Sequence, residues 1–174
     1  MKTSRFDFKE WPLDLLLDYA LKIHHRGIRK DGSRIVNLLR KVENENKAVG
    51  DVKVLFEQSL EDLENHLMKE ENVLFPYLFE LVEATENGQP VGEMHCGTIR
   101  NPIRVMMVEH EGETDRHEEI KRLTSGYAVP EGSSDDYREL MNGLKEFFEN
   151  LKEHIYIENE IIFPESIELE DGAR

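Results

Sequence analysis

Two stretches of the chain carry the same metal-binding side-chain types at the same spacing. One is His66-Leu67-Met68-Lys69-Glu70, followed by Glu71, Asn72, Val73, Leu74, Phe75 and Pro76. The other is His154-Ile155-Tyr156-Ile157-Glu158, followed by Asn159, Glu160, Ile161, Ile162, Phe163 and Pro164. A histidine and a glutamate four residues apart lie one above the other on a helix face. Imidazole nitrogen with carboxylate oxygen suits Fe, Mn or Zn, and two such pairs can hold two ions. A single His-x-x-x-Glu arises readily by chance in a chain with 7 histidines and 37 acids, and then forms a solvent-facing ion pair. Two copies matched over about eleven positions are a different signal.

Helices must position these residues. A first helical pattern starts at Pro12, suited to a first helical position, with Leu15, Leu17, Tyr19, Leu21, Ile23 and Ile28 as its apolar members. His25 falls on that stripe; His24 is offset by about 100° and is the weaker candidate. Asp31-Gly32-Ser33 predicts a kink or break, after which Ile35, Leu38, Leu39 and Val42 resume the spacing. A second helix starts near Asp51, with Val54, Leu55, Phe56, Leu60, Leu63, Leu67, Val73, Leu74 and Leu78 on its apolar side and His66 and Glu70 turned inward among them. A third runs from about Pro102 to Thr124, where Ile103, Met106, Met107, His110, Ile120 and Leu123 share a face. His117 follows His110 by two turns with no matched partner at its level, and reads as a hydrogen-bonded or solvent-facing histidine. The fourth helix has the clearest stripe: Leu140, Leu144, Phe147, Leu151, His154, Glu158 and Ile161 alternate steps of four and three. Pro164 predicts its end.

Four helical patterns without strand signals predict an all-α fold, an antiparallel up-down four-helix bundle, which commonly builds metal sites from facing helices. The inward polar set is His25, His66, Glu70, His110, His154 and Glu158, with every helix contributing. Burying an unpaired carboxylate costs several kcal/mol, so two inward glutamates beside inward histidines call for cations.

At 174 residues the chain reads as one domain, spanning residues 11–166 between an N-terminal tail (1–10) and a C-terminal tail (167–174). A net charge of −15 argues against nucleic acid and disfavours an anionic membrane surface. No apolar run approaches a membrane span, and Met1 to Glu10 lacks the apolar core of a signal peptide. The single cysteine, Cys96, excludes an internal disulfide and fits a reducing compartment; with His95 it lies in a loop rich in Gly, Asn and Pro, as a loop or packing residue rather than a nucleophile. The expected location is cytoplasmic.

The pattern resembles the hemerythrin-like (HHE cation-binding) family, in particular its branch of iron-sulfur cluster repair di-iron proteins, also described as regulators of cell morphogenesis and nitric-oxide signalling. The resemblance rests on His24-His25-Arg26, on His66 to Pro76, on Met106-Met-Val-Glu-His110-Glu and on His154 to Pro164, and covers about residues 11 to 166. It implies a non-haem di-iron centre with His25, His66, His110 and His154 as nitrogen ligands and Glu70 and Glu158 as bridging carboxylates. That branch usually carries a further His about 21 residues after its first; here Asn46 stands there, with Glu45 beside it. Asn46 coordinating through its oxygen, Glu45 in its place, or one iron left under-coordinated and open are the alternatives this leaves; His24 and His117 are further candidate ligands on their own helices. The cysteine-bearing N-terminal domain of the repair members is not expected, since about ten residues precede the bundle.

Two six-coordinate irons need about twelve ligand positions. Two bridging carboxylates, an oxo or hydroxo bridge and four His fill about ten, leaving about two for dioxygen, nitric oxide or peroxide. Glu71, Glu109 and Glu153 are candidates to orient the imidazoles. Three functions fit: a di-iron stress protein that handles nitric oxide or reactive oxygen or serves iron-sulfur cluster repair, with iron-sulfur proteins as partners; a non-catalytic module that reversibly binds or senses dioxygen or nitric oxide; and a structural metal bundle.

Overall fold

The computed structural model describes residues 6–92, 94 and 97–173; His95 and Cys96 lie outside them. Among the described residues, four long helices form an antiparallel bundle without strands. The first comprises α-helical Leu13–Tyr19, a π-helical turn Ala20–His25 and α-helical Arg26–Val42. The second comprises Lys47–Lys69, a π turn Glu70–Leu74 and Phe75–Asn87. The third is Arg100–Leu123. The fourth comprises Asp135–Ile157, a π turn Glu158–Ile162 and Phe163–Ala173. Among the described residues no helix is long and apolar enough to cross a membrane.

The π turns explain how two prolines sit inside helices. Pro164 does not end the fourth helix, which corrects the sequence expectation, and Pro76 lies within the second, whose expected stripe already ran on to Leu78. A proline ring clashes with the carbonyl four residues back and lacks an N–H for it; in both helices the turn before the proline is the widened i→i+5 kind, which relieves both problems. Residues 167–173 are therefore helix rather than tail, and Glu170 is buried there, accepting from Thr98 Oγ1 at 2.7 Å and Ile99 N–H at 3.2 Å. A π turn also spends an extra residue per turn, so successive residues diverge less. His24 and His25 are both buried in consequence, whereas Leu15, Ile23 and Val73 of the expected stripes are exposed, as are Val54 and Met107.

Two other expectations change. Residues 1–10 are not all tail, because Phe8 is buried and meets Trp11 and Tyr19 edge to edge or tilted at 5.2–5.4 Å. Asp31-Gly32-Ser33 does not break the first helix. Gly32 lets the second helix approach, since a Cβ there would stand 2.5 Å from Leu60 Cδ2.

The apolar core divides in two. One cluster gathers Leu16, Leu17, Phe75, Leu78, Ile103, Met106, Ile161 and Phe163. The other gathers Ile35, Leu39, Phe56, Leu63, Ile120, Leu144, Phe147 and Leu151. On every helix the candidate metal residues fall between these two sets. The site is a polar layer enclosed above and below by hydrocarbon.

Candidate metal centre

His25, His66, Glu70, His110, His154 and Glu158 meet in this layer, each at most 2% exposed. Two overlapping groups could each hold a cation: His66, His110, His154 and Glu158, and His25, Glu70, His154 and Glu158, the offered atoms of each group lying within 4.8 Å of one another. The two glutamates reach across both positions. Glu70 turns Oε2 to His25 Nε2 at 3.4 Å and Oε1 to His66 Nε2 at 3.3 Å. Glu158 turns Oε1 to His25 Nε2 at 3.9 Å and Oε2 to His110 Nε2 at 3.2 Å and His154 Nε2 at 3.3 Å. Adjacent ligands about 2.1 Å from one octahedral ion stand about 3.0 Å apart, so these separations suit atoms sharing a metal.

The orphaned atoms point the same way. Both oxygens of Glu70 and of Glu158, His25 Nε2 and both nitrogens of His154 are buried without a hydrogen-bond partner. Three outer nitrogens, by contrast, are engaged. His25 Nδ1 meets Glu71 Oε1 at 2.9 Å, His66 Nδ1 meets Glu109 Oε2 at 2.8 Å, and His110 Nδ1 meets Asn159 Oδ1 at 2.8 Å. Those oxygens accept only, so each Nδ1 carries the proton and each Nε2 turns inward. His66 Nε2 and His110 Nε2 face each other at 3.1 Å; two lone pairs at that distance require a proton or a metal cation between or beside them.

Without metal, protons fill that need. Burial pushes the His25 imidazole down, but Glu158 and Glu70 hold it up at about 10. Burial likewise opposes, and Glu70 then sustains, a His66 pKa of about 9. His154, wholly enclosed, lies well below the ordinary imidazole value because of burial. Glu158 sits well below the ordinary carboxylate range because the imidazoles around it overcome the effect of burial. The layer favours positive charge next to its carboxylates, in either form.

The remaining candidates lie elsewhere. Asn46 caps the second helix through Ala48 N–H at 3.0 Å and donates to the Tyr137 hydroxyl at 3.3 Å. Glu45 accepts from Ser134 Oγ at 2.6 Å. The unbroken first helix carries the chain about 25 Å from His25 to Val42, so neither reaches the centre. His24 is buried beside His154, ring centroids 5.6 Å apart, but belongs to neither group; burial pushes its pKa down to about 4.

His117 belongs to a separate polar cluster that sequence reasoning missed. Its Nε2 lies 2.9 Å from Ser59 Oγ, which donates to Glu113 at 2.6 Å, and its ring stacks on Phe147 and Phe148. Glu113 is also paired with Arg116. Glu113 and His117 stand four apart, a spacing visible in the sequence; Ser59 comes from another helix and gave no signal. Asn159 was missed too, although it occupies in the second motif the place Glu71 holds in the first.

Comparison with known proteins agrees with this geometry. The family model for the hemerythrin HHE cation binding domain matches residues 16–166. The iron-sulfur cluster repair protein YtfE of Pectobacterium atrosepticum is 31% identical over 165 residues, covering 92% of this chain and 69% of that protein. The protein of the same name from Yersinia pseudotuberculosis serotype IB is 31% identical over 168 residues, covering 94% and 70%. A bundle whose buried histidines and glutamates meet at one level, matched along most of its length, belongs to the hemerythrin HHE cation-binding family.

Proposed function

We propose that the resident cations are two iron ions, and that the protein acts in the response to nitrosative or oxidative stress through iron-sulfur cluster repair, the role named in its relatives. His25, His66, His110 and His154 would hold the metals, with Glu70 and Glu158 bridging them. One observation carries the pairing: each glutamate directs one oxygen toward His25 and the other toward the opposite histidines. A lone zinc needs one such carboxylate oxygen, not two spanning pairs. An iron pair of this kind supplies redox-active positions for dioxygen, nitric oxide or peroxide. The chain's own contribution is to fix the imidazoles through Glu71, Glu109 and Asn159 and to keep the layer dry between the two apolar clusters. Iron-sulfur proteins are the partners this role requires.

The test is metal content. The parent should carry about two irons per chain, and Glu70→Ala and Glu158→Ala well below that. Zinc or manganese in place of iron, or full iron in both variants, would overturn the reading. Rapid mixing of the reduced protein with dioxygen or nitric oxide separates the roles: turnover or rapid autoxidation supports stress chemistry, and a stable reversible adduct supports a carrier or sensor.

A further inference from the structure

The two halves of the centre are related by the repeated motif, yet they are closed differently. The residue before His110 is Glu109, which holds His66 Nδ1 at 2.8 Å and is clamped by Lys69. The corresponding residue before His25 is His24, and it faces His154 with ring centroids 5.6 Å apart. Neither His24 Nε2 nor His154 Nδ1 has a hydrogen-bond partner. At this one corner the outer wall is a free imidazole rather than a clamped carboxylate.

Outside that wall lies a cavity of about 130 Å³, lined by Tyr19, His24, Gly27, Asp31, Asn150 and Glu153 among others, with no lysine or arginine. It has room for a few water molecules, at about 30 Å³ each. Glu153 Oε1 stands 3.7 Å from His24 Nε2 and accepts the Tyr19 hydroxyl at 3.2 Å. His24 is itself only 6% exposed. A small cation in this cavity would therefore find a carboxylate, a phenol oxygen and an imidazole lone pair, donors that ferrous ion accepts and exchanges. An uncharged diatomic gas gains nothing from the Glu153 carboxylate.

We propose that His24 and Glu153 form the passage by which ferrous ion reaches and leaves the buried centre. Glu153 captures the hydrated ion in the cavity. His24 takes it up through Nε2 and passes it to the side chains behind its ring, ligand exchanging for ligand without change of oxidation state. This inference rests on the di-iron reading above.

The experiment is anaerobic stopped-flow loading of the metal-free protein with ferrous ion, and release from the loaded protein to a ferrous chelator. Glu153→Gln should slow loading about tenfold and weaken its dependence on ionic strength. Gly27→Leu places a side chain where a Cβ meets nothing within 4 Å, and should slow loading and release together. Both variants should reach the parent's final iron content, which shows that they fold. If the parent loads two irons and both variants match its rates, the passage is overturned and the di-iron reading stands. If His24→Phe binds less iron at equilibrium, His24 is a resident ligand and the transit role is overturned. A parent that takes up no iron overturns the di-iron reading, and the passage with it.

Discussion

Glu109 decides which face of the His66 ring looks inward. Its carboxylate holds His66 Nδ1 while Lys69 fixes the carboxylate from outside, and its pKa lies below the ordinary value because Lys69 and His66 outweigh partial burial. Removing such a partner typically costs metal affinity tenfold to a hundredfold. Glu109→Ala is expected to lose about that factor in chelator competition, with its helix content intact by circular dichroism. His117 gives a second expectation, on stability. Burial, then Arg116, pushes its pKa from the ordinary 6.5 to about 3. Between those values the unfolded chain holds a proton that the folded chain does not. Its contribution is thus complete above about pH 6.5 and is lost as pH falls toward 3, which amounts to about 2 kcal/mol between pH 7 and pH 5. In urea unfolding of the metal-free protein, His117→Gln should shrink the stability difference between those two pH values by about that amount.

At the scale of the helix, the π turns are the devices that assemble the layer. Each carries or adjoins inward residues: His25 in the first helix, Glu70 in the second, Glu158 in the fourth. Deleting the exposed Asn72 removes the additional residue of one turn. Phe75, Leu78 and Leu81 must then rotate by about 100° relative to His66, or Glu70 must leave the layer. The expected result is loss of most bound iron in metal analysis with a helical circular dichroism spectrum retained.

The ligand stripe was legible because steps of three and four between Leu63, His66, Glu70 and Leu74, and between Leu151, His154 and Glu158, survive in a plain list of residues. The bundle was legible for the same reason. The π turns were not, because one additional residue per turn leaves no mark in an apolar pattern, and Pro164, which follows one of them, reads as a stop signal. Pairings such as Ser59 with Glu113 and His117 depend on how two helices are shifted along each other, which no single helix encodes.

For the molecule as a whole, the polar layer divides one apolar core into two, and each part must be held against the other across buried charge. Bound cations should therefore count heavily in global stability. A ligand at a hundredfold excess over its dissociation constant adds about 2.7 kcal/mol. Thermal unfolding with and without a chelator should show a higher Tm for the loaded protein, and Glu70→Ala should abolish the difference. The net charge of −15 works in the same direction, since it concentrates small cations around the chain.

Trp11 is the sole tryptophan of the sequence. It lies edge-on to Tyr19 at 5.5 Å, Tyr19 edge-on to His24 at 5.1 Å, and His24 against His154 at 5.6 Å. Its indole is thus a built-in optical probe three ring contacts from a candidate ligand. Intrinsic fluorescence can follow occupancy of the interior in the unlabelled protein, with no second tryptophan to blur the signal.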